Sequence, residues 1–174
     1  MDVLVVIDMQ NDFVSGSLGT ANAEKIISNV REKIENFKGK VFFTRDTHTK
    51  NYLDTREGLT LPVIHCIDRT KGWEIIDELK DLVKEDPIDK PCFGSTKLAE
   101  LLVAENQQET IENITLIGVC TNICIISNAF VLQAFLPETT ITVDASCCAG
   151  VNKEAHKIAL EAMRNGQIEI IGED

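Results

Sequence analysis

Residues 114–129 read ITLIGVCTNICIISNA, and the fold of the whole chain follows from how this stretch is read. The apolar run 114–117 stops at Gly118, the pattern of a short buried strand. Thr121 and Asn122 then offer caps for a helix that begins at once. The spacing puts Cys124 in or beside the first turn of that helix, at the carboxyl end of a strand. Unpaired amides and the positive end of the helix dipole face such a position. They lower a thiol's pKa and favour a thiolate nucleophile. The plainer reading of Cys124 is a small buried hydrophobe.

Outward from this stretch, strands alternate with helices. Residues 3–7 (VLVVI) form a β-branched run that suits a central parallel strand covered on both faces, and the run stops at Asp8. Residues 23–37 carry Ile26, Ile27, Val30, Ile34 and Phe37 on one helical face, and Gly39 ends them. A second strand occupies residues 40–44. Residues 45–70 then form a long loop over the same sheet edge as Asp8, and loops of this length are usually functional. Residues 72–84 have helical spacing, 88–93 are extended around Lys90, and Ser95 caps a helix over 96–105. A strand over 140–143 leads into a small-residue loop at 145–150. Asn152 caps a last helix, and residues 167–171 close the sheet. The pattern predicts one α/β domain over residues 1–174 with a mostly parallel sheet.

Composition narrows the function. The chain has 174 residues, 44% of them hydrophobic, and a formal charge of −11, which argues against nucleic acid or an anionic membrane as partner. No apolar run reaches the length of a membrane span. The N-terminus has no basic leader with a small-residue cleavage site. Six cysteines at 66, 92, 120, 124, 147 and 148 form no C-x-x-C, so the expectation is a cytoplasmic protein with reduced thiols.

Two constellations carry chemistry. Asp8, Lys90 and Cys124 lie at strand ends, which gather on one edge of a parallel sheet. Asp8 offers a proton acceptor, Lys90 a positive field, and the turn before Cys124 backbone amides for an oxyanion. Asp46, His48 and His65 fall in the long loop and have the donor chemistry for zinc, iron or manganese; two surface histidines are the alternative. His156 sits on a charged helix face and reads as solvated.

Together these residues resemble the isochorismatase-like cysteine hydrolase family, and more closely its nicotinamidase-like members. Residues 5–13 (VVIDMQNDF) look like the family's opening strand and D-x-Q-N-D-F signature. Asp46-Thr47-His48 and His65-Cys66, with Thr70 and Gly72, look like its metal-loop motifs, and Lys90 with Phe93 like its lysine segment. Residues 118–125 (GVCTNICI) are similar to G-V-x-T-[DN]-x-C-V.

The resemblance implies a three-layer α/β/α sandwich with a six-stranded, mainly parallel, Rossmann-like sheet and a catalytic triad at Asp8, Lys90 and Cys124. It also implies a cis peptide at Val119–Cys120, an oxyanion hole from the amides of Cys120 and Cys124, and Phe13 lining the substrate pocket. Metal ligands map onto Asp46, His48 and His65, with Glu57 as a fourth and zinc the leading ion. The implied reaction is hydrolysis of a small-molecule amide, nicotinamide first, through a thioester, in a homo-oligomer. Isochorismate vinyl-ether cleavage, N-carbamoyl amide hydrolysis and a non-catalytic binding module are the rivals. The sequence departs from nicotinamidases before His65, where 61–64 read LPVI in place of a Trp-Pro pair. Trp73, just beyond Gly72, is a candidate to replace it.

Overall fold

β1 (Asp2–Ile7) is the axis of the molecule, and from Val3 to Ile7 none of its side chains reaches solvent. Its side chains alternate between two cores, because successive residues of a strand point to opposite faces. Val3, Val5 and Ile7 join one core, with Leu98, Leu102, Leu132 and Met163. Leu4 and Val6 join the other, with Val30, Ile34 and Leu79. Full burial of each such side chain is worth about 1.5–3 kcal/mol, which explains why the run has no polar interruption.

The computed structural model describes residues 1–173. It contains β2 (Lys40–Asp46), β3 (Ile88–Lys90), β4 (Asn113–Val119), β5 (Thr140–Ala149) and β6 (Glu169–Ile171) beside β1. The six strands form one sheet in the order β3-β2-β1-β4-β5-β6, and every pairing is parallel. α2 (Ala21–Lys25) and α3 (Ile27–Asn36) cover one face; α5 (Thr96–Gln108), α6 (Ile126–Phe135) and α7 (Lys153–Asn165) cover the other. A short α1 (Asn11–Val14) follows β1, and α4 (Arg56–Thr60) lies in the long loop. The three-layer α/β/α sandwich with six parallel strands is the expected architecture.

Local details differ from the sequence reading. The helix expected over 23–37 is two helices: Thr20 caps the first, accepting from Ala23 N, and the chain breaks at Ile26. Residues 72–84 form only a 3₁₀ turn, Asp77–Leu82, because this segment is tied down from outside its own backbone: Ile76 N donates to Met9 O, and Gln10 pairs with Ile75 as an isolated bridge. Residues 145–150, expected as a loop, continue β5 to Ala149 after an irregularity in its register with β4. Thr121 and Asn122 do not cap α6. Residues Thr121–Ile125 form a π-type turn, Thr121 Oγ1 pairs with His156 Nδ1 at 2.8 Å, and Asn122 Oδ1 accepts from Val151 N.

The β1–β4 junction needs glycine. Gly118 has φ of +118°, and a Cβ there would lie 2.1 Å from Ile7 O. Gly118→Ala is therefore expected to destabilise the chain by more than about 2 kcal/mol, read as a lower urea midpoint. An unchanged midpoint would contradict the tight approach of β4 to β1.

Candidate active site

Three strand ends bring the site together. Asp8 follows β1, Lys90 ends β3 and Cys124 follows β4. β2 and β3 lie to one side of β1, β4 to the other, so the β1/β4 junction is the point where the winding reverses, where open α/β sheets hold their ligands. Asp8 itself has φ of +51°, and the Val119–Cys120 peptide is cis.

The centre is the Lys90 ammonium. Its Nζ lies 2.7 Å from Asp8 Oδ2, 3.3 Å from Asp46 Oδ1 and 3.6 Å from Cys124 Sγ, and it donates to Cys92 O. Exposure is 0% for Asp8, 1% for Lys90 and 4% for Cys124. Asp8 Oδ1 accepts from Thr44 Oγ1 at 2.7 Å, whereas Oδ2, apart from the ion pair with Lys90, has no hydrogen-bond partner. That oxygen is left to take a proton. Burial pushes the Asp8 carboxyl up, outweighing the pull of Lys90. Burial also pushes the Cys124 thiol well up, with Lys90 opposing it. Lys90 stays charged: burial lowers it, but Asp8, Cys124 and Asp46 together raise it further. The lowered thiol pKa expected from the helix terminus is not found, because burial outweighs it. At rest the geometry favours a thiol beside a carboxylate–ammonium pair.

A second cluster adjoins the first. Asp46, His48, Glu57 and His65 bring ligand atoms within 4.8 Å of one another. Asp46 Oδ2 is 2.9 Å from His48 Nε2 and 3.5 Å from His65 Nε2, and Glu57 Oε1 is 3.6 and 3.7 Å from the same nitrogens. His65 Nδ1 lies 2.7 Å from Val63 O. A carbonyl only accepts, so Nδ1 carries the hydrogen and the neutral ring turns its Nε2 lone pair toward the carboxylates. Asp8, Asp46 and Glu57 set three carboxylates against one ammonium. With neutral imidazoles this leaves two negative charges in excess, which a divalent cation would balance. The donor set fits such an ion. Burial pushes Asp46 up, but the hydrogen bonds that His48 and His65 give when protonated at Nε2, with the charge of Lys90, hold it well below the usual range.

The residues around both clusters explain the sequence motifs. Gln10 donates to Asp46 O and Trp73 O, both at 2.8 Å, and accepts from Asp46 N. Asn11 donates to Lys71 O and Glu74 O, and Asp12 accepts from Cys66 N next to His65. Asn128 Oδ1 accepts from Ser95 N, and its amide donates to Phe93 O and Cys124 O. It ties the lysine segment to the turn that carries Cys124. Tyr52 packs its ring on His48 and His65 at centroid distances of 4.6 and 4.9 Å. Glu57 stands in the first turn of α4, which Thr55 caps by accepting from Gly58 N. That Thr-x-x-Gly cap was the available signal for the helix inside the loop.

A cavity of about 430 Å³ opens on Cys124, Cys120, Asp46, Glu57 and His65. Phe13 lines it, with its ring 5.4 Å from that of His65. Leu18, Leu61, Phe93, Ile123 and Val151 supply the apolar wall. The sequence reading missed these five because they come from five separated segments with no shared pattern. No lysine or arginine lines this cavity. Trp73 does not replace the missing aromatic: its ring stacks under Arg45 at 3.7 Å and its Nε1 donates to Thr47 Oγ1. His156 is not a free surface residue, since its pairing with Thr121 braces the turn that carries Cys124.

Gln10 should matter for the metal cluster without touching an ion. Gln10→Ala removes three hydrogen bonds to the backbone of Asp46 and Trp73, and is expected to weaken zinc binding about 10–100-fold, read by calorimetric titration. Unchanged affinity would show that Asp46 is positioned without it.

Comparison with known proteins places this geometry. An isochorismatase domain model matches residues 2–173. A nicotinamidase of Saccharomyces cerevisiae is 30% identical over 113 residues, 48% of this chain and only 52% of that protein. An uncharacterized isochorismatase family protein of Bacillus subtilis is 28% identical over 179 aligned positions, 93% of each chain. A crystal structure of the pyrazinamidase of Pyrococcus horikoshii in complex with zinc superposes with a TM-score of 0.80, 26% identity and 98% coverage of both chains. The chain thus belongs to the isochorismatase domain family.

Proposed function

We propose that this protein is a metal-assisted cysteine amidohydrolase that converts a small neutral carboxamide, nicotinamide first among them, to its acid and ammonia. The chain is an isochorismatase-family hydrolase whose relatives are named nicotinamidase and pyrazinamidase. The observation that carries the reading is the placement of the Lys90 ammonium, 2.7 Å from Asp8 and 3.6 Å from the Cys124 sulfur, behind a cavity that Cys124 lines together with Asp46, Glu57 and His65.

In this reading Cys124 Sγ attacks the amide carbon as its proton passes to Asp8 Oδ2. Lys90 holds the developing thiolate and keeps Asp8 aimed at it. The amides of Cys120 and Cys124 receive the oxyanion. The C–N bond then breaks, Asp8 returns the proton to nitrogen, and ammonia leaves a thioester on Cys124. Water, losing a proton to Asp8, adds to the thioester. Collapse releases the carboxylic acid, and the sulfur recovers its proton. Asp46, His48, Glu57 and His65 would hold a divalent cation, zinc, iron or manganese, which supplies a Lewis-acidic anchor for the substrate's ring nitrogen.

The cavity favours an uncharged amide over isochorismate. A dicarboxylate needs cationic partners, and no lysine or arginine lines this wall, while Asp46 and Glu57 do. Cleavage of N-carbamoyl amides is tested by the same ammonia assay.

Cys124→Ala should cut ammonia release by at least about 10³-fold while the amide still binds. Turnover near that of the intact chain would refute the covalent route. Chelation should raise KM more than it lowers kcat, as an anchoring role requires; a loss confined to kcat would contradict that role. Because burial raises the Asp8 carboxyl, its basic form is lost as pH falls through a value above its ordinary 3.8. The acid limb of kcat/KM is therefore expected above that value, and a limb at or below it would argue against Asp8 as the base.

A further inference from the structure

A second cavity, about 620 Å³, lies against the first. Glu57, Leu61, Phe93 and Ile123 border both, so the two share a wall rather than being separate features. The wall is apolar apart from Glu57 and is left partly bare. Leu61 is 37% exposed and Phe93 42%. Two large apolar side chains facing open space at the mouth of a reactive site are what an apolar ligand segment would cover. The second cavity is also lined by Arg56, an exposed residue that makes no ion pair among the described residues of a chain with a formal charge of −11. The first cavity has no such cation.

We infer that the second cavity is a distal subsite for the substrate itself, and that the chain accepts carboxamides whose acyl part continues past Phe93 and Leu61 as an apolar segment ending in an anionic group near Arg56. This inference rests on the amidohydrolase reading and extends it to the substrate's far end. The charge distribution supports the polarity of the arrangement. The amide end meets a wall that carries Asp46 and Glu57 and, among the described residues, no lysine or arginine. The distal end meets an unpaired guanidinium, which binds a carboxylate through paired N–H donors. It also accounts for the Leu-Pro-Val-Ile segment before His65. Leu61 of that segment lines both cavities.

Cys92 provides a reporter, because it lines the second cavity and not the first and is the one exposed cysteine among the described residues. The experiment uses metal-loaded Cys124→Ala protein, which holds an amide without consuming it. The rate at which N-ethylmaleimide modifies Cys92 is followed by peptide mass spectrometry. The probes are nicotinamide and the 5- and 6-(4-carboxybutyl)nicotinamides. At saturation one of the extended amides should slow Cys92 modification at least about fivefold, with nicotinamide changing it less than about twofold. Arg56→Glu should raise the half-protecting concentration of the extended amide at least about tenfold.

Equal modification rates with all three probes overturn the subsite. So does slowing that follows protein concentration and not the amide, which would put a second copy of the chain there. Ammonia release by the unaltered chain is measured in parallel. Turnover of nicotinamide with no Cys92 protection by either extended amide overturns the subsite alone, whereas no turnover of any of the three amides overturns the amidohydrolase reading together with it.

Discussion

A lysine ammonium with almost no access to water holds this molecule's chemistry in place. Lys90 ends a three-residue strand at the edge of the sheet, yet its Nζ reaches under the centre, between Asp8 and Asp46. Moving an ammonium out of water costs several kcal/mol. At an effective dielectric near 20, the contact with Asp8 at 2.7 Å returns about 6 kcal/mol and that with Asp46 at 3.3 Å about 5 kcal/mol. Neither carboxylate could be buried without the lysine, and the lysine could not be buried without them. The arrangement therefore works as a unit, and it fixes the distance between the sulfur and the proton acceptor.

The sheet makes that unit possible. Parallel strands end on one edge, so residues 8, 90 and 124 meet although they are distant in sequence. β1 at the centre gives Asp8 complete burial, and β2 beside it delivers Thr44 to one oxygen of Asp8 and Asp46 to the ammonium. The other oxygen of Asp8 stays unpaired except for the ion pair. A buried acceptor left in that condition is costly for stability, and its retention is intelligible if a proton must arrive there. The metal-ligand cluster shares Asp46 with this unit, so charge at one site is felt at the other.

Much of this could be read from the residues alone, and the limits have physical causes. β1 and β4 were legible because both cores press on them and leave no polar interruption. Asp8, Lys90 and Cys124 were legible because each interrupts or follows such a run, and the family resemblance then joined them. The 72–84 segment misled because its apolar spacing is helical, while its backbone is committed to residues 9–12. Residues 145–149 read as a loop because small residues hide strand propensity. Thr121 and Asn122 looked like caps but pair with α7 and the turn before it, a choice made by tertiary contacts. The apolar walls of the cavity were invisible, since no local pattern links Leu18, Leu61, Phe93, Ile123 and Val151.

The central claim is that the sulfur held beside Lys90 and Asp8 becomes covalently bonded to the acyl group. Rapid acid quench of the metal-loaded chain during turnover of nicotinamide, followed by peptide mass spectrometry, tests it directly. The account predicts a nicotinoyl group on the peptide carrying Cys124, appearing before free acid accumulates and decaying as it does. Nicotinate forming at full rate with no acyl group on Cys124, or with the group on another residue, would contradict it.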